Sequence, residues 1–418
     1  FTVMLAKAEG GEAEVTFRCT NAKVTVGNVD YTGGTYSHPG GSLSFTVEVP
    51  EGYYVQSVTA TPAQDIFCGS EIRNQKLVYS VNIEPDNEGK VAIDIVAAEG
   101  TEDTWPLEYV YSINGPSMTY ATVKACDPTY EGALEIPKTV IHNGVPFPVQ
   151  SIGEYAFMEC YTLTELTIPD TVVSIGYMAL SYTGLRHIRL SENLQSMDED
   201  CFVKCIYLEE LTLPESLKVI PERAFDSCYA LRTVVLPDGL QVIGEFAFWA
   251  CYNLSEITIP AGVTEIADGT FMGCRSLAKV TFLGPVTSIG ETAFYDTRSL
   301  KHIDLPDSLT SLGSGAFKQS HRDGETDRSG GLEEIVLPAG LTKIEEDTFN
   351  GCYDMRSVHF LGKVTSIGNC AFYDTKSLQE IDLPESVCSI GERAFSGSGL
   401  QKILLPKDCV DVEPDAFA

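Results

Sequence analysis

Leu240-Gln-Val-Ile-Gly-Glu-Phe-Ala-Phe-Trp-Ala-Cys-Tyr-Asn-Leu-Ser-Glu-Ile-Thr-Ile-Pro260-Ala-Gly262 decides the fold, because from about Val149 onward the chain writes this stretch repeatedly. Aligned on their isoleucine-glycine or equivalent pairs, the units open at Val149, Val172, Leu194, Leu217, Leu240, Val263, Val286, Leu309, Leu341, Val364, Val387 and Cys409. The step is 23 residues; the units containing Ser181-Tyr-Thr-Gly-Leu185 and Ser396-Gly-Ser-Gly-Leu400 are one short, and one is nine longer, between Phe317 and Leu332. Such a period marks a solenoid, in which no unit buries its own apolar face and each must stack on its neighbours.

With the opening residue as position 1, the mostly apolar positions are 1, 4, 8, 9, 12, 15, 18 and 20, as in Val263, Ile266, Thr270, Phe271, Cys274, Leu277, Val280 and Phe282. The second half, Leu-x-x-Ile-x-Leu-Pro, alternates like a strand and stops at a proline that denies the next ladder bond. The middle, Gly-x-x-Ala-Phe-x-x-Cys, has helix-like offsets with room for a turn or two. Stacked copies predict parallel strands about 4.8 Å apart, so the complete units run on the order of 50 Å.

The pattern Ile-Gly-x-x-Ala-Phe-x-x-Cys-x-x-Leu-x-x-Ile-x-Leu-Pro resembles the leucine-rich repeats of the BspA-like family of bacterial cell-surface proteins, over about two-thirds of the chain. The resemblance implies an α/β-type solenoid of parallel strands and short helical turns, a right-handed horseshoe or flatter form. It further implies adhesion and partner binding, with no catalytic residues to carry over.

Composition agrees with a long scaffold. The 418 residues carry 28 basic and 59 acidic side chains, a net charge of −31. Nucleic acid is excluded as a natural partner, because phosphate binding needs a basic footprint. The acidity reads as solubility for an apolar-cored array or as an acidic docking surface. No run reaches the twenty or so apolar residues of a membrane span. The abrupt start at Phe1-Thr-Val-Met-Leu looks like a trimmed mature form, anchored through a removed N-terminal segment, and the resemblance places it outside the cell.

Of 13 cysteines, Cys160, Cys205, Cys228, Cys251, Cys274 and Cys352 fall at position 12, where other units carry Thr183, Thr297 or Thr375. Side chains in one column point in parallel, a poor bridging geometry, so the column reads as free buried thiols. Cys126, Cys370, Cys388 and Cys409 are scattered, and without a Cys-x-x-Cys pair no structural zinc site is expected. No cofactor motif is present.

Residues 1–98 read as an all-β sandwich-like or β-grasp-like domain, from period-two stretches such as Leu43-Ser-Phe-Thr-Val-Glu-Val49 and Val91-Ala-Ile-Asp-Ile-Val96. Pro50-Glu-Gly-Tyr-Tyr-Val55 resembles the Gly-Tyr motif of small β repeats on bacterial surface proteins. Cys19 and Cys68 share inward parity and read either as a bridge or as two buried thiols. Residues 99–106 are an acidic linker ending at Trp105-Pro106, with Trp105 a plug for the junction. Residues 107–148 are the N-terminal β cap, with a hairpin turn at Asn143-Gly144, and residues 149–418 are the repeats.

Positions 17 and 19 should face outward on the concave side. Neither column holds an aromatic ring, which weakens a concave glycan groove. Its polar members include His302, Asp304 and His359; the histidines lie two coils, about 10 Å, apart, too far to share a metal. Aromatic residues gather instead before the strand: Tyr161, Tyr229, Tyr252 and Tyr353 after position 12, and Trp249, Tyr295 and Tyr373 after the phenylalanine. They read as recognition anchors or as packing between coils. In the long insertion Asp323, Glu325 and Asp327, with Glu334, imitate a calcium loop, but the required glycine is Arg328; the other reading is a mobile polar loop.

The function expected is a surface scaffold binding a protein of a host or neighbouring cell, the alternative a glycan-capture protein. No nucleophile elbow, phosphate loop or His-Glu-x-x-His points to an enzyme.

Overall fold

The computed structural model describes residues 13–20, 23–26, 29–30, 35–38, 41–48, 53–61, 66–73, 76–83, 90–99, 101–102, 106–113, 119–142, 145–319 and 330–418. Trp105, Asn143-Gly144, the side chains of Cys19 and Cys68, and Asp323, Glu325 and Asp327 lie outside the described residues. Contacts divide the chain into two units, 1–124 with 137–150 and 125–136 with 151–418.

In the first unit the period-two stretches are strands. One sheet has the order Thr35–His38, Ala13–Thr20, Lys90–Glu99, Tyr53–Thr61; another runs Val29–Asp30, Lys23–Val26, Gly41–Glu48, Lys76–Ile83, Ile66–Arg73. Val24, Leu43, Phe45 and Val47 are buried. Further along, Tyr111 stacks on His142 with ring centroids 4.1 Å apart and meets Phe147 edge-on at 4.8 Å.

The second unit is a solenoid. Positions 17–19 pair in parallel from coil to coil, for example Glu256–Ile259 with Lys279–Phe282. A second, shorter parallel ladder joins positions 3 and 4, as in Glu265–Ile266 with Ser288–Ile289. The strand proline closes a tight turn into the next coil: its carbonyl accepts from the opening residue, Pro237 from Leu240 and Pro306 from Leu309 at 3.0 Å. Position 18 is mostly buried and positions 17 and 19 are mostly exposed, as the alternation requires. Glycine at position 5 serves a close approach. A Cβ on Gly244 would stand 2.6 Å from the Glu222 nitrogen of the preceding coil.

The expected helical turns are absent; no helix occurs among the described residues. The backbone bonding of the middle segment explains the correction. Phe157 donates to Ala179 of the next coil at 2.7 Å and Glu159 to Ser181 at 3.1 Å, while Met158 and Cys160 donate within their own coil, to Tyr155 and Phe157. Every second N–H is thus spent on the neighbouring coil, which leaves no i→i−4 ladder. The alternation needs left-handed residues at positions 7 and 11. Glycine supplies them in Gly269, Gly273 and Gly351, and side-chain-bearing residues elsewhere, such as Tyr155 (φ 58°), Asp296 (φ 57°) and Thr292 (φ 52°). Each non-glycine residue there costs about 1–2 kcal/mol, offset by inter-coil bonds worth roughly 0.5–1.5 kcal/mol each.

The interior repeats as the backbone does. From Phe202 to Phe417 the position-9 rings form one ladder, with neighbouring centroids 5.2–5.9 Å apart. Phe317 and Phe349 remain nearly parallel, at 3°, across the insertion, so the added residues leave the stack in register. Beside the rings, the thiols of Cys228, Cys251, Cys274 and Cys352 donate to the position-9 carbonyl of the preceding coil at 3.1–3.2 Å. Burial pushes these thiols up, Cys352 to about 12.

Candidate binding surface

Two faces of the solenoid carry the residues singled out in the sequence. On the turn side, position 13 runs Tyr229, Tyr252, Arg275 and Arg298 through four successive coils. The tyrosine rings stack at 4.9 Å and 6°, each 36% exposed, and the Arg275 guanidinium carbon lies 5.0 Å from the Tyr252 ring centroid. Asp296 pins the charged end: its carboxylate is almost wholly buried and accepts from Arg275 Nε at 3.0 Å and Arg298 Nε at 2.8 Å. Asp296 occupies a left-handed station, which an aspartate tolerates better than most residues. Its charge and that station together hold the arginines in line with the tyrosines.

Position 10 forms a second column. Trp249, Met272 and Tyr295 follow one another in three coils, all half-buried. Trp249 is flanked by Phe246 at 5.9 Å and by the Arg223 guanidinium at 5.7 Å. Beneath it Asp226 is buried beside Arg223; burial raises its carboxyl above the usual range, against the opposing pull of Ser227 and Arg223.

The other aromatic candidates stand apart from this cluster. Tyr161 is 61% exposed near the start of the solenoid. Tyr353 donates to Asp374 at 3.0 Å, and Tyr373 lies under Arg393 at 4.8 Å, both on the far side of the insertion. Sequence reasoning missed the aromatic–cation pairs Tyr182 with Lys204 and Tyr207 with Arg186. For Tyr182 the signal is a cation one period on in the same column.

The strand face is mostly polar, with Val235, Val336 and Leu404 exposed in it. His302 Nδ1 approaches Glu334 Oε1 at 3.2 Å, while Asp304 and His359 are exposed. A groove of about 400 Å³ is lined there by His187, Arg189, Glu210, Thr212 and Glu215, among others. Its arginine is already held by Asp170 at 3.1 Å and by the Ile168 carbonyl at 3.3 Å. Among the described residues no three His, Cys, Asp or Glu side chains gather to hold a metal ion, and no helix is long and apolar enough to cross a membrane.

Stacked parallel coils with this leucine, isoleucine and phenylalanine core define a leucine-rich repeat solenoid. The model for the BspA type leucine rich repeat region matches residues 137–251, 199–322 and 327–418, and the chain belongs to that family. Among solved structures, a leucine rich cell surface protein from Faecalibacterium prausnitzii A2-165 is 25% identical over 74% of this chain and 94% of its own, with a TM-score of 0.44. A leucine-rich repeat protein from Bacteroides ovatus is 27% identical over 74% and 90%, TM-score 0.44. The T. pallidum leucine rich repeat protein is 28% identical over 51% and 86%, TM-score 0.40. No curated protein matches the sequence.

Proposed function

We propose that the solenoid is a binding scaffold of the bacterial cell surface and that it docks a protein ligand, from a host or a neighbouring cell, on its turn side. Membership of a family of surface proteins supports the location, and leucine-rich repeats generally bind proteins. The observation that carries the choice of face is the exposed Tyr229–Tyr252 stack continued by Arg275. Large rings with few rotors, held by their neighbours, lose little entropy on docking, and a guanidinium adds a directed contact. Trp249 and Tyr295 extend the area beside it, while positions 17 and 19 of the strand face carry no tyrosine or tryptophan.

The test begins with the full chain immobilised and exposed to purified surface proteins and, separately, to polysaccharides. The paired change Tyr229→Ala and Tyr252→Ala should weaken the captured protein at least about 30-fold, the effect of losing a hot spot of roughly 2 kcal/mol. Thr258→Ala on the strand face should leave affinity unchanged. Retention of polysaccharide with no protein bound would replace this reading with glycan capture, and loss of protein binding through Thr258 alone would move the site to the strand face.

A further inference from the structure

The solenoid begins before its first full repeat. Residues 125–136 belong to the same unit, and Ala133–Glu135 pair in parallel with Glu165–Thr167, the strand of the Val149 coil. Cys126 lies in this foreshortened coil, and its backbone station is defined by its bond: its N–H donates to the Ala156 carbonyl at 2.6 Å. Phe157 makes the same bond to Ala179, and Phe202 to Ala224, so Cys126 stands where later coils carry the position-9 phenylalanine.

That placement puts it against a second thiol. In the later coils the position-12 thiol reaches the position-9 backbone of the coil before it, as Cys228 reaches Phe202 and Cys251 reaches Phe225, both at 3.2 Å. Position 12 of the Val149 coil is Cys160. The 9-to-12 offset therefore faces Cys160 with Cys126, in an interior where they are only 1% and 7% exposed. Cysteines stacked at position 12 have parallel side chains; these two approach from different stations. Set against each other, the thiols share a hydrogen bond that, ahead of burial, raises Cys126 and lowers Cys160.

We propose that Cys126 and Cys160 are a disulfide-forming pair that clamps the foreshortened first coil onto the Val149 coil in an oxidising environment. The oxidant is a small-molecule or protein disulfide. With glutathione disulfide, one cysteine thiolate attacks a sulfur and releases one glutathione, and the second displaces the other from the mixed disulfide. Two protein thiols give up two electrons and two protons, and one glutathione disulfide becomes two glutathiones. Because both thiols are buried, the exchange runs while the coil closes during folding or through its local opening. A disulfide there would restrain local opening of the solenoid's first coil.

The full chain, reduced and then refolded with or without glutathione disulfide, is denatured, alkylated with iodoacetamide, digested and read by mass spectrometry. The expected product joins the Cys126 and Cys160 peptides, with Cys228, Cys251 and Cys274 alkylated. In Cys126→Ser, Cys160 should be alkylated as well. Amide exchange on the wild-type chain, which needs no variant to fold, should slow at least about tenfold across residues 126–136 on oxidation. Alkylation of both cysteines after oxidation, or linkage of Cys160 to Cys205, would overturn the proposal. Neither result touches the docking reading, which concerns a different part of the solenoid.

Discussion

The turn side and the strand side of the solenoid join the same coils by different means. On the turn side inter-coil backbone bonds continue to the last coil: Phe294 to Ala316, Phe317 to Thr348 across the insertion, Phe372 to Ala394 and Phe395 to Ala416. On the strand side the ladder runs through Gly132–Glu135 to His187–Arg189, Glu210–Thr212 with Thr233–Val235, Glu256–Ile259 with Lys279–Phe282, and Glu334–Leu337 with Ser357–Phe360, and single bonds bridge the runs, Glu209 to Arg186 at 3.4 Å and Ser255 to Arg232 at 3.3 Å. Both sides therefore hold the coils together, and the turn side adds the phenylalanine ladder. The side chains at positions 17 and 19 of the strand face mostly point to solvent, where varied residues are accommodated.

The most severe way to break this contrast is to remove a ring from the ladder. Phe271→Ala should cost about 3–5 kcal/mol, read as a lower denaturant midpoint; a loss under about 1 kcal/mol would show that the rings do not hold the stack. Crowding the coil contact comes next. Gly244→Ala drives a methyl toward the Glu222 nitrogen and should cost roughly 1–3 kcal/mol, measured the same way. The left-handed stations offer a change of opposite sign. Thr292 is β-branched at φ 52°, and Thr292→Gly should stabilise by about 1 kcal/mol.

Asp226 sharpens the contrast through pH. Its folded-state carboxyl is raised by burial, so its contribution to stability is fully present below the unfolded value and is lost as pH rises through the folded one. Asp226→Asn should match the wild type in acid and exceed it at neutral pH, in denaturation followed across that range. The smallest effect belongs to the strand face: Glu256→Gln should stay within about 0.5 kcal/mol of the wild type.

Much of this was legible in the chain because repetition makes burial self-evident. Phe271, Cys274, Leu277 and Val280 announce their column by recurring, and the strand-proline ending marks where each ladder stops. The middle segment misled because its Ala-Phe-x-x-Cys spacing matches a helix, whereas the backbone there reverses hand at two stations per coil. Gly269 with Gly273, and Asp347 with Gly351, carried that signal in residue types suited to positive φ. Cys126 looked scattered because its coil is too short to show the period. The Tyr252–Arg275 ladder was half visible, since rings stand out when they recur down a column and a cation one period on does not.

Hydroxyl-radical footprinting of the full chain, free and bound to its captured protein ligand, tests the central claim most directly. Oxidation of Tyr229, Tyr252 and Trp249 should fall severalfold in the complex while His302 and His359 react as before. Protection of the two histidines with the tyrosines unchanged would contradict it and put the ligand on the strand face.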